Sequence, residues 1–414
     1  MALIERVLDG RIRHGTLRIE RADGSITELG SKQAGWPDII LRIHNASAER
    51  RILLNPRLGL GDAYIDGSVS VGDDDIMGLI ELVRRNNPWE KGGEIGDPGV
   101  LKRLASQLVR PLRQMNNLAR SRSNVAHHYD LSNDFYQLWL DTDMQYSCAY
   151  WPEPNLGLEA AQSAKKAHIA AKLALEPRQR VLDIGCGWGG MALYLNRIAD
   201  VDVLGITLSA EQFKLARARA EAASVSDRVK FELIDYRDLA RTAHGQFDRI
   251  VSVGMFEHVG VPQFETFFRS TANMLKDDGV MLLHTIGRLG KPGATDAFTR
   301  KYIFPGGYIP ALSETLAASE KSKLIATDIE NLRLHYALTL RSWYTSVLEQ
   351  REAIVAMMDE RFYRMWAFYL AGATAAFEWG GMCNYQIQFA RNRRSLPITR
   401  NYMARSEAAI STQQ

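Results

Sequence analysis

Residues 181–190 read VLDIGCGWGG. Apolar and β-branched residues flank Asp183 in the pattern of a short buried strand. The glycines then break the strand sharply, and MALYLNRIA (191–199) follows with helical spacing. Strand, glycine turn and helix is the arrangement in which backbone N–H groups and a helix N-terminus meet a ligand. Gly185, Gly187 and Gly190 also satisfy the dinucleotide pattern G-x-G-x-x-G, so a nicotinamide cofactor is one candidate.

Working outward, the chain alternates strand and helix from about residue 124, as a doubly wound α/β sheet requires. RVLDI (180–184), DVLGI (202–206), VKFELI (229–234), DRIVSV (248–253) and GVMLLHT (279–285) are the expected strands. MALYLNRIA, SAEQFKLARARAEAA and VPQFETFFRSTANMLK are the expected helices between them. The stretch 286–330, with GRLGKPG and FPGGYIP, breaks this rhythm and reads as an insertion over the ligand face. A long helical region over 331–375 and a late strand in GMCNYQIQFARN complete a catalytic domain spanning 124–414.

Residues 1–95 read as a smaller α+β domain, with a hairpin around Asp23-Gly24, a strand in DIILRIHN and a helix in DIMGLIELVRR. Residues 96–123 form a basic linker: Lys102, Arg103, Arg110, Arg113, Arg120 and Arg122 occur there with no acid between Asp97 and Asp130. Such a run is either a solvated helix face or a surface drawn to anionic lipid.

Composition sets the bounds. The 414 residues are 46% hydrophobic and 24% charged, ordinary for a globular protein, and a formal charge of +3 is too small to indicate nucleic acid. Cys148, Cys186 and Cys383 lie far apart, without the spacing of a disulfide framework or a metal site, which suits a reducing cytoplasm. The N-terminus MALIERVLDGRIRHG has no apolar signal core, and MWAFYLAGATAAF (365–377) is too short to span a bilayer.

The glycine turn can now be weighed against its candidates. A dinucleotide fold places an acidic residue at the end of the second strand to take the ribose hydroxyls. Here that strand ends in GITLSAEQ, with Thr207, Ser209 and Gln212, and the first acid, Glu211, belongs to the next helix. Asp183 precedes the glycines, where its carboxylate can bond a turn amide or a positively charged group of the ligand. A compact ligand with a charged amino-acid tail fits better than an extended pyrophosphate. That favours S-adenosylmethionine.

Beyond this loop, NVAHHYDLSNDFYQLWLD, MQYSCAYW, VLDIGCGWGG, GITLSAEQ, IDYRDL, VSVGMFEHVG, MLLHTIG and LRLHYALTLRSWY resemble the cyclopropane-fatty-acyl-phospholipid synthase family, which includes the mycolic acid cyclopropane synthases. The blocks run in family order from about 124 to 390, and residues 1–95, with PDIILRIHN and NPRLGLGDAYIDG, resemble the N-terminal domain of the phospholipid-acting members. The resemblance implies a Rossmann-like class I methyltransferase sheet, S-adenosylmethionine as cofactor, and transfer of its methyl carbon to a cis double bond of a lipid acyl chain. Carried over residue by residue, the cofactor contacts are Tyr146 and Ser147, then Val181, Leu182, Asp183, Ile184, Gly185, Cys186, Gly187, Trp188 and Gly189. Thr207, Leu208, Gln212, Tyr236 and Arg237 follow.

The same resemblance implies a bound bicarbonate ion as base, held by Cys148, Glu257, His284 and Tyr336 with the backbone at Val253. The residues themselves agree with this. Glu257 follows the fourth strand and His284 closes the fifth, so both fall at carboxyl ends of parallel strands, where ligands bind. Structural readings stand beside these: Glu257 as a helix cap, His284 and His258 as core histidines, and Tyr336 as a helix-face aromatic. His127 and His128 lack Cys or Asp partners at ligand spacing, so no metal is expected. Cys148 has no local dyad to make it a nucleophile. Ala373 stands in LAGATAAF where members often carry cysteine, and Phe362, Tyr363, Trp366, Phe368, Tyr369 and Phe377 crowd the same region as core or as the lining of an acyl tunnel.

The expected partner is a phospholipid bilayer surface, engaged peripherally at the inner face of the membrane from the cytoplasm, with a homodimer as a possible assembly and no nucleic acid. The competing classes are a nicotinamide reductase, disfavoured by the missing ribose acid, and a non-catalytic lipid-binding module, disfavoured by Glu257, His284 and Tyr336.

Overall fold

The computed structural model describes residues 10–55, 58–92 and 132–411. The basic run from Lys102 to Arg122 and the pair His127-His128 lie outside the described residues. The described chain forms two compact units, and their composition does not follow the sequence division at 95 and 124. Segments 295–305 and 340–382 belong to the unit that holds the N-terminal residues.

That first unit is built on a four-stranded sheet of β1 (Gly15–Arg21), β2 (Ile26–Ser31), β3 (Asp38–Ile43) and β4 (Val69–Val71), in the order β2-β1-β3-β4. β1 and β2 make the expected antiparallel hairpin, whereas β3 pairs parallel to β1. Alternation decides the inner face: Leu17, Ile19, Ile39, Leu41 and Ile43 are buried. The chain after β3 folds into two short helices, Ala46–Leu54 and Gly59–Ile65. Helix Ile76–Asn86 turns Ile76, Met77, Leu79 and Leu82 inward, and the 19-residue helix Glu360–Glu378 packs on it. Arg341 ties the two by ion pairs to Glu81 and Glu378.

The second unit carries the sheet that the glycine turn implies. Seven strands lie in the order β7-β6-β5-β8-β9-β11-β10, where β5 is Arg180–Ile184, β6 Asp202–Thr207, β7 Val229–Leu233, β8 Phe247–Val253, β9 Leu275–Arg288, β10 Ile325–Asn331 and β11 Met382–Ala390. β5 to β9 are parallel neighbours, and β10 runs antiparallel to β11. Chain order reverses between β5, which pairs with β6 on one side, and β8 on its other side. Such a switch point is where open α/β sheets bind ligands. Helices Gly190–Ala199, Ala210–Ala222 and Phe264–Met274 cover the faces.

One expectation needs correcting. The segment 286–330 is more than an insertion, because it holds the edge strand β10, which completes the sheet. The region 331–375 is helical as expected, in helices His335–Glu349, Arg351–Met357 and Glu360–Glu378. Among the described residues, no helix is long and apolar enough to cross a membrane.

Candidate active site

At the carboxyl ends of β5, β6 and β8 a cavity opens in the second unit. Its wall includes Tyr146, Ser147, Asp183, Ile184, Gly185, Cys186, Gly187, Trp188, Thr207, Leu208, Gln212, Tyr236 and Arg237, with Val253. These were all expected at the site. Val181 and Leu182, also expected there, sit inside β5 with neighbours on both faces and do not reach the cavity. Gly189 does not line it either: it enters the following helix at φ 84°, its Cα facing Phe231 and Ala216.

The turn is made by its glycines. Gly185 has φ 82°, a region that side-chain-bearing residues avoid, and a Cβ there would lie 2.7 Å from the Met255 Cβ. The N–H groups of Gly185 and Cys186 both bond the Ile206 carbonyl, which folds the turn back on β6. Opposite, Thr207 donates its hydroxyl to Gln212 Oε1 at 2.9 Å, while Ser209 caps the helix by accepting from the Gln212 N–H. Asp235 grips the Arg237 guanidinium through two hydrogen bonds of 2.8 and 2.7 Å. Trp188 is fixed by its indole N–H on Asn133, 2.8 Å away.

Asp183 is the cavity's most telling group. It is 1% exposed, its Oδ2 has no hydrogen-bond partner among the described residues, and burial pushes its carboxyl up to about 7, against a smaller pull from Lys165. An unsatisfied buried acceptor on a ligand cavity is costly unless a donor from the ligand meets it. The ammonium of an amino-acid tail is such a donor. The donor set therefore fits S-adenosylmethionine, with Asp183 on the tail and Gln212 beside Thr207 where a ribose acid stands in dinucleotide folds.

Cys148, Glu257, His284 and Tyr336 do not line this cavity. Cys148 is fully buried, donates to the Ala149 carbonyl at 3.3 Å, and burial pushes its thiol up, so it is no thiolate. Glu257 lies in the turn after β8; its Oε1 accepts the Ile286 N–H at 2.5 Å, and burial pushes the carboxyl up to about 7 against a smaller pull from that N–H and the Thr285 side chain, while Oε2 has no geometric hydrogen-bond partner among the described residues. Tyr336 is buried in the first turn of helix His335–Glu349.

His284 is held on both sides. Lys172 donates to Gln386 Oε1 at 2.7 Å, which leaves the Gln386 amide N–H to meet the His284 Nδ1 at 3.1 Å. Nδ1 is therefore the acceptor and Nε2 carries the proton; the Asn384 Nδ2 stands 3.0 Å from Nε2, and turning that amide over places its oxygen there as the acceptor. Burial, the largest influence, holds the imidazole well below its usual range, hence neutral. Beyond Lys172 the chain continues through Glu330 to His168, whose other nitrogen meets Glu407 at 3.0 Å.

Other wall residues escaped the sequence reading. His258, read as structural, lines the cavity, and its burial pulls it down to about 4, so it is neutral. Met144, Gln145, Met191, Ile234, Asp235, Met255 and Val259 also line it. Met144 and Gln145 open the MQYSCAYW block, and Ile234 and Asp235 open IDYRDL, so the blocks that carry the resemblance already contain them.

A parallel sheet reversing at β5, a glycine turn below an unpartnered carboxylate, and a bonded Thr207–Gln212 pair define a class I S-adenosylmethionine-dependent methyltransferase. The fold is shared with coclaurine N-methyltransferase, at TM-score 0.64 over 80% of this chain and 22% identity, covering 99% of that structure. Within that class, the model of mycolic acid cyclopropane synthetase matches residues 116–387, and the chain belongs to this family. It is 39% identical to the cyclopropane-fatty-acyl-phospholipid synthase of Escherichia coli K12 over 353 residues, 85% of this chain and 87% of that one. It is 35% identical to a protein of Pseudomonas putida named probable fatty acid methyltransferase, over 95% of this chain and 97% of the relative. A crystal structure of a mycolic acid cyclopropane synthase with SAH and CTAB is 32% identical, with TM-score 0.61, over 65% of this chain and 98% of that structure.

Proposed function

We propose that the chain adds a one-carbon unit from S-adenosylmethionine across the cis double bond of an unsaturated phospholipid acyl chain, giving a cyclopropane. The observation that carries this reading is the extent of likeness: the E. coli phospholipid synthase matches 85% of the chain, whereas a cyclopropane mycolic acid synthase of Mycobacterium leprae matches 61%. The part of the chain outside the shared catalytic region thus has its counterpart in a phospholipid-named relative.

When bound, S-adenosylmethionine supplies an electrophilic methyl on a sulfonium. An alkene is a weak nucleophile, and its methylation leaves a carbocation on the acyl chain, so the protein must exclude water and take one proton from the new methyl group. Glu257, His284, Tyr336 and Cys148, with the backbone at Val253, would hold a bicarbonate ion, which would supply the base for that proton. Glu257 is protonated up to about pH 7, so its unpartnered Oε2 can donate to an anion. His284 is neutral, and its two amide partners fix its ring orientation.

A second reading keeps the cofactor and the first step but resolves the cation into a methyl-branched or methylene chain. The P. putida relative, named a probable fatty acid methyltransferase and matched over 95% of this chain, favours it. Mass spectrometry of lipids from an expressing host separates the outcomes. Cyclopropane and methylene products gain one CH2 over the alkene and are then resolved by chromatography; methylation followed by reduction gains CH2 plus two hydrogens. Retention time matching a cyclopropane standard is expected, and any other product overturns the first reading.

The substrate's double bond lies inside a bilayer, so the enzyme docks peripherally on the inner face of the membrane. RNRRSLPITR (391–400) supports such docking: Arg393 and Arg394 are exposed, and Ile398 is fully exposed. The basic run at 102–122 is the second candidate dock.

A further inference from the structure

Lys165 is a completely buried lysine on helix Leu158–Leu173. Its Nζ donates to Gln145 Oε1 at 2.7 Å and to Ser147 Oγ at 2.8 Å. Both acceptors line the cofactor cavity. One turn earlier on the same helix, Gln162 donates to the carbonyls of Gln145 and Ser147, 3.0 Å from each. The wall segment is therefore already braced without the lysine's charge. A buried ammonium is an expensive brace, and neither of its two bonded partners is a carboxylate.

The chemistry of Ser147 shows what the charge does. A hydroxyl has one proton to donate and two lone pairs to accept with. Lys165 donates into a lone pair, so the Ser147 proton must point elsewhere, and it has no acceptor among the described residues. Ser147 thus presents an O–H to the cavity with a cation directly behind it, the arrangement that suits a carboxylate. Asp183, on the same cavity, presents an unpartnered acceptor that suits an ammonium. The two together match the two ends of a zwitterion.

We infer that Lys165 is a positioning residue for the carboxylate of the cofactor's amino-acid tail, acting through Ser147, while Asp183 takes the ammonium. The inference rests on methyl-donor use, which the family establishes, and is independent of which lipid product forms. The charged groups around Lys165 are Asp141 and Asp143 of the preceding loop and Lys166 of its own helix, with the neutral Cys148 thiol the other titratable neighbour; it acts in turn on Asp183 of β5 and His284 of β9. Burial, opposed by Asp141, pulls Lys165 down to about 8, so it is charged at neutral pH.

The test compares two probes by calorimetry: S-adenosylhomocysteine and its decarboxylated analogue, which keeps the ammonium but lacks the carboxylate. The parent protein should prefer the carboxylated probe by roughly 10- to 100-fold, the range of a charge-assisted hydrogen bond. Lys165→Met, which keeps the stem, should reduce that preference to about threefold or less. If Lys165→Met weakens both probes equally and the preference survives, the lysine is only a brace and the inference is overturned. Should Lys165→Met fail to fold, Ser147→Ala, which leaves the lysine in place, must reduce the same preference about tenfold; an undiminished preference there also overturns it.

Discussion

Two carboxylates stand near the ends of neighbouring strands and behave alike at first sight. Asp183 at the end of β5 and Glu257 after β8 are both buried, both pushed up to about 7 by desolvation, and both keep one oxygen without a hydrogen-bond partner among the described residues. Their surroundings separate them. Asp183 lines the cofactor cavity and feels the Lys165 charge, which favours its ionised form. Glu257 lies off the cavity, and among the described residues the groups that act on it are the Ile286 N–H and the Thr285 side chain rather than a lysine or arginine. One acid stands where a ligand cation can draw out its charge; the other stands off that cavity, where its protonated form can act as a donor below about pH 7. Equal burial produces two roles because the neighbouring charges differ.

The largest expected effect attacks the Glu257 half of this contrast. Glu257→Gln keeps the shape but ends the carboxyl chemistry, and should lower turnover roughly 100- to 1,000-fold while S-adenosylhomocysteine affinity stays within about threefold. A parallel loss of affinity would move Glu257 into the cofactor site. Asp183→Asn should do the converse, weakening S-adenosylhomocysteine about 100-fold through loss of a buried charged partner.

Stability gives a smaller effect of defined sign. A carboxyl whose folded value is raised contributes stability below its unfolded value and loses it as pH rises through the folded one. Ligand-free protein therefore loses stability on account of Asp183 between about pH 4 and 7. Asp183→Asn should unfold at a higher temperature than the parent at pH 8 and close to it at pH 4, as scanning calorimetry will show. A parent more stable than the variant at pH 8 would mean that Asp183 is satisfied in the fold. Least of all, Arg393→Gln with Arg394→Gln should weaken sedimentation with anionic vesicles about tenfold at low salt and leave cofactor binding alone. Undiminished sedimentation would put the dock elsewhere.

Much of this could be read from residues alone, for physical reasons that differ by element. The strand β5 and its turn were legible because only glycine tolerates φ 82° at Gly185 against Met255. β10 was missed because of its seven residues only Asp328 is buried, so no alternation marks IATDIEN as a strand. Lys165 was missed because adjacent lysines on a helix ordinarily mean a solvated face, and nothing local reveals that both lie against Gln145 and Asp143. The polar residues of NYQIQ did carry a usable signal. Asn384, Gln386 and Gln388 alternate along a buried strand, a spacing that puts three amides on one face, where two of them hold His284. The compact units were illegible, since segments 295–305 and 340–382 join the N-terminal residues through contacts distant in sequence.

We propose that Asp183 ionises to receive the cofactor's ammonium. Calorimetric titration of S-adenosylhomocysteine at pH 6, in buffers of different ionisation enthalpy, counts the protons released on binding. With Asp183 protonated up to about 7 in the free protein, binding should release close to one proton. Glu257→Gln should release the same number and Asp183→Asn none. Proton release that is absent from the parent, or that survives in Asp183→Asn, contradicts the account.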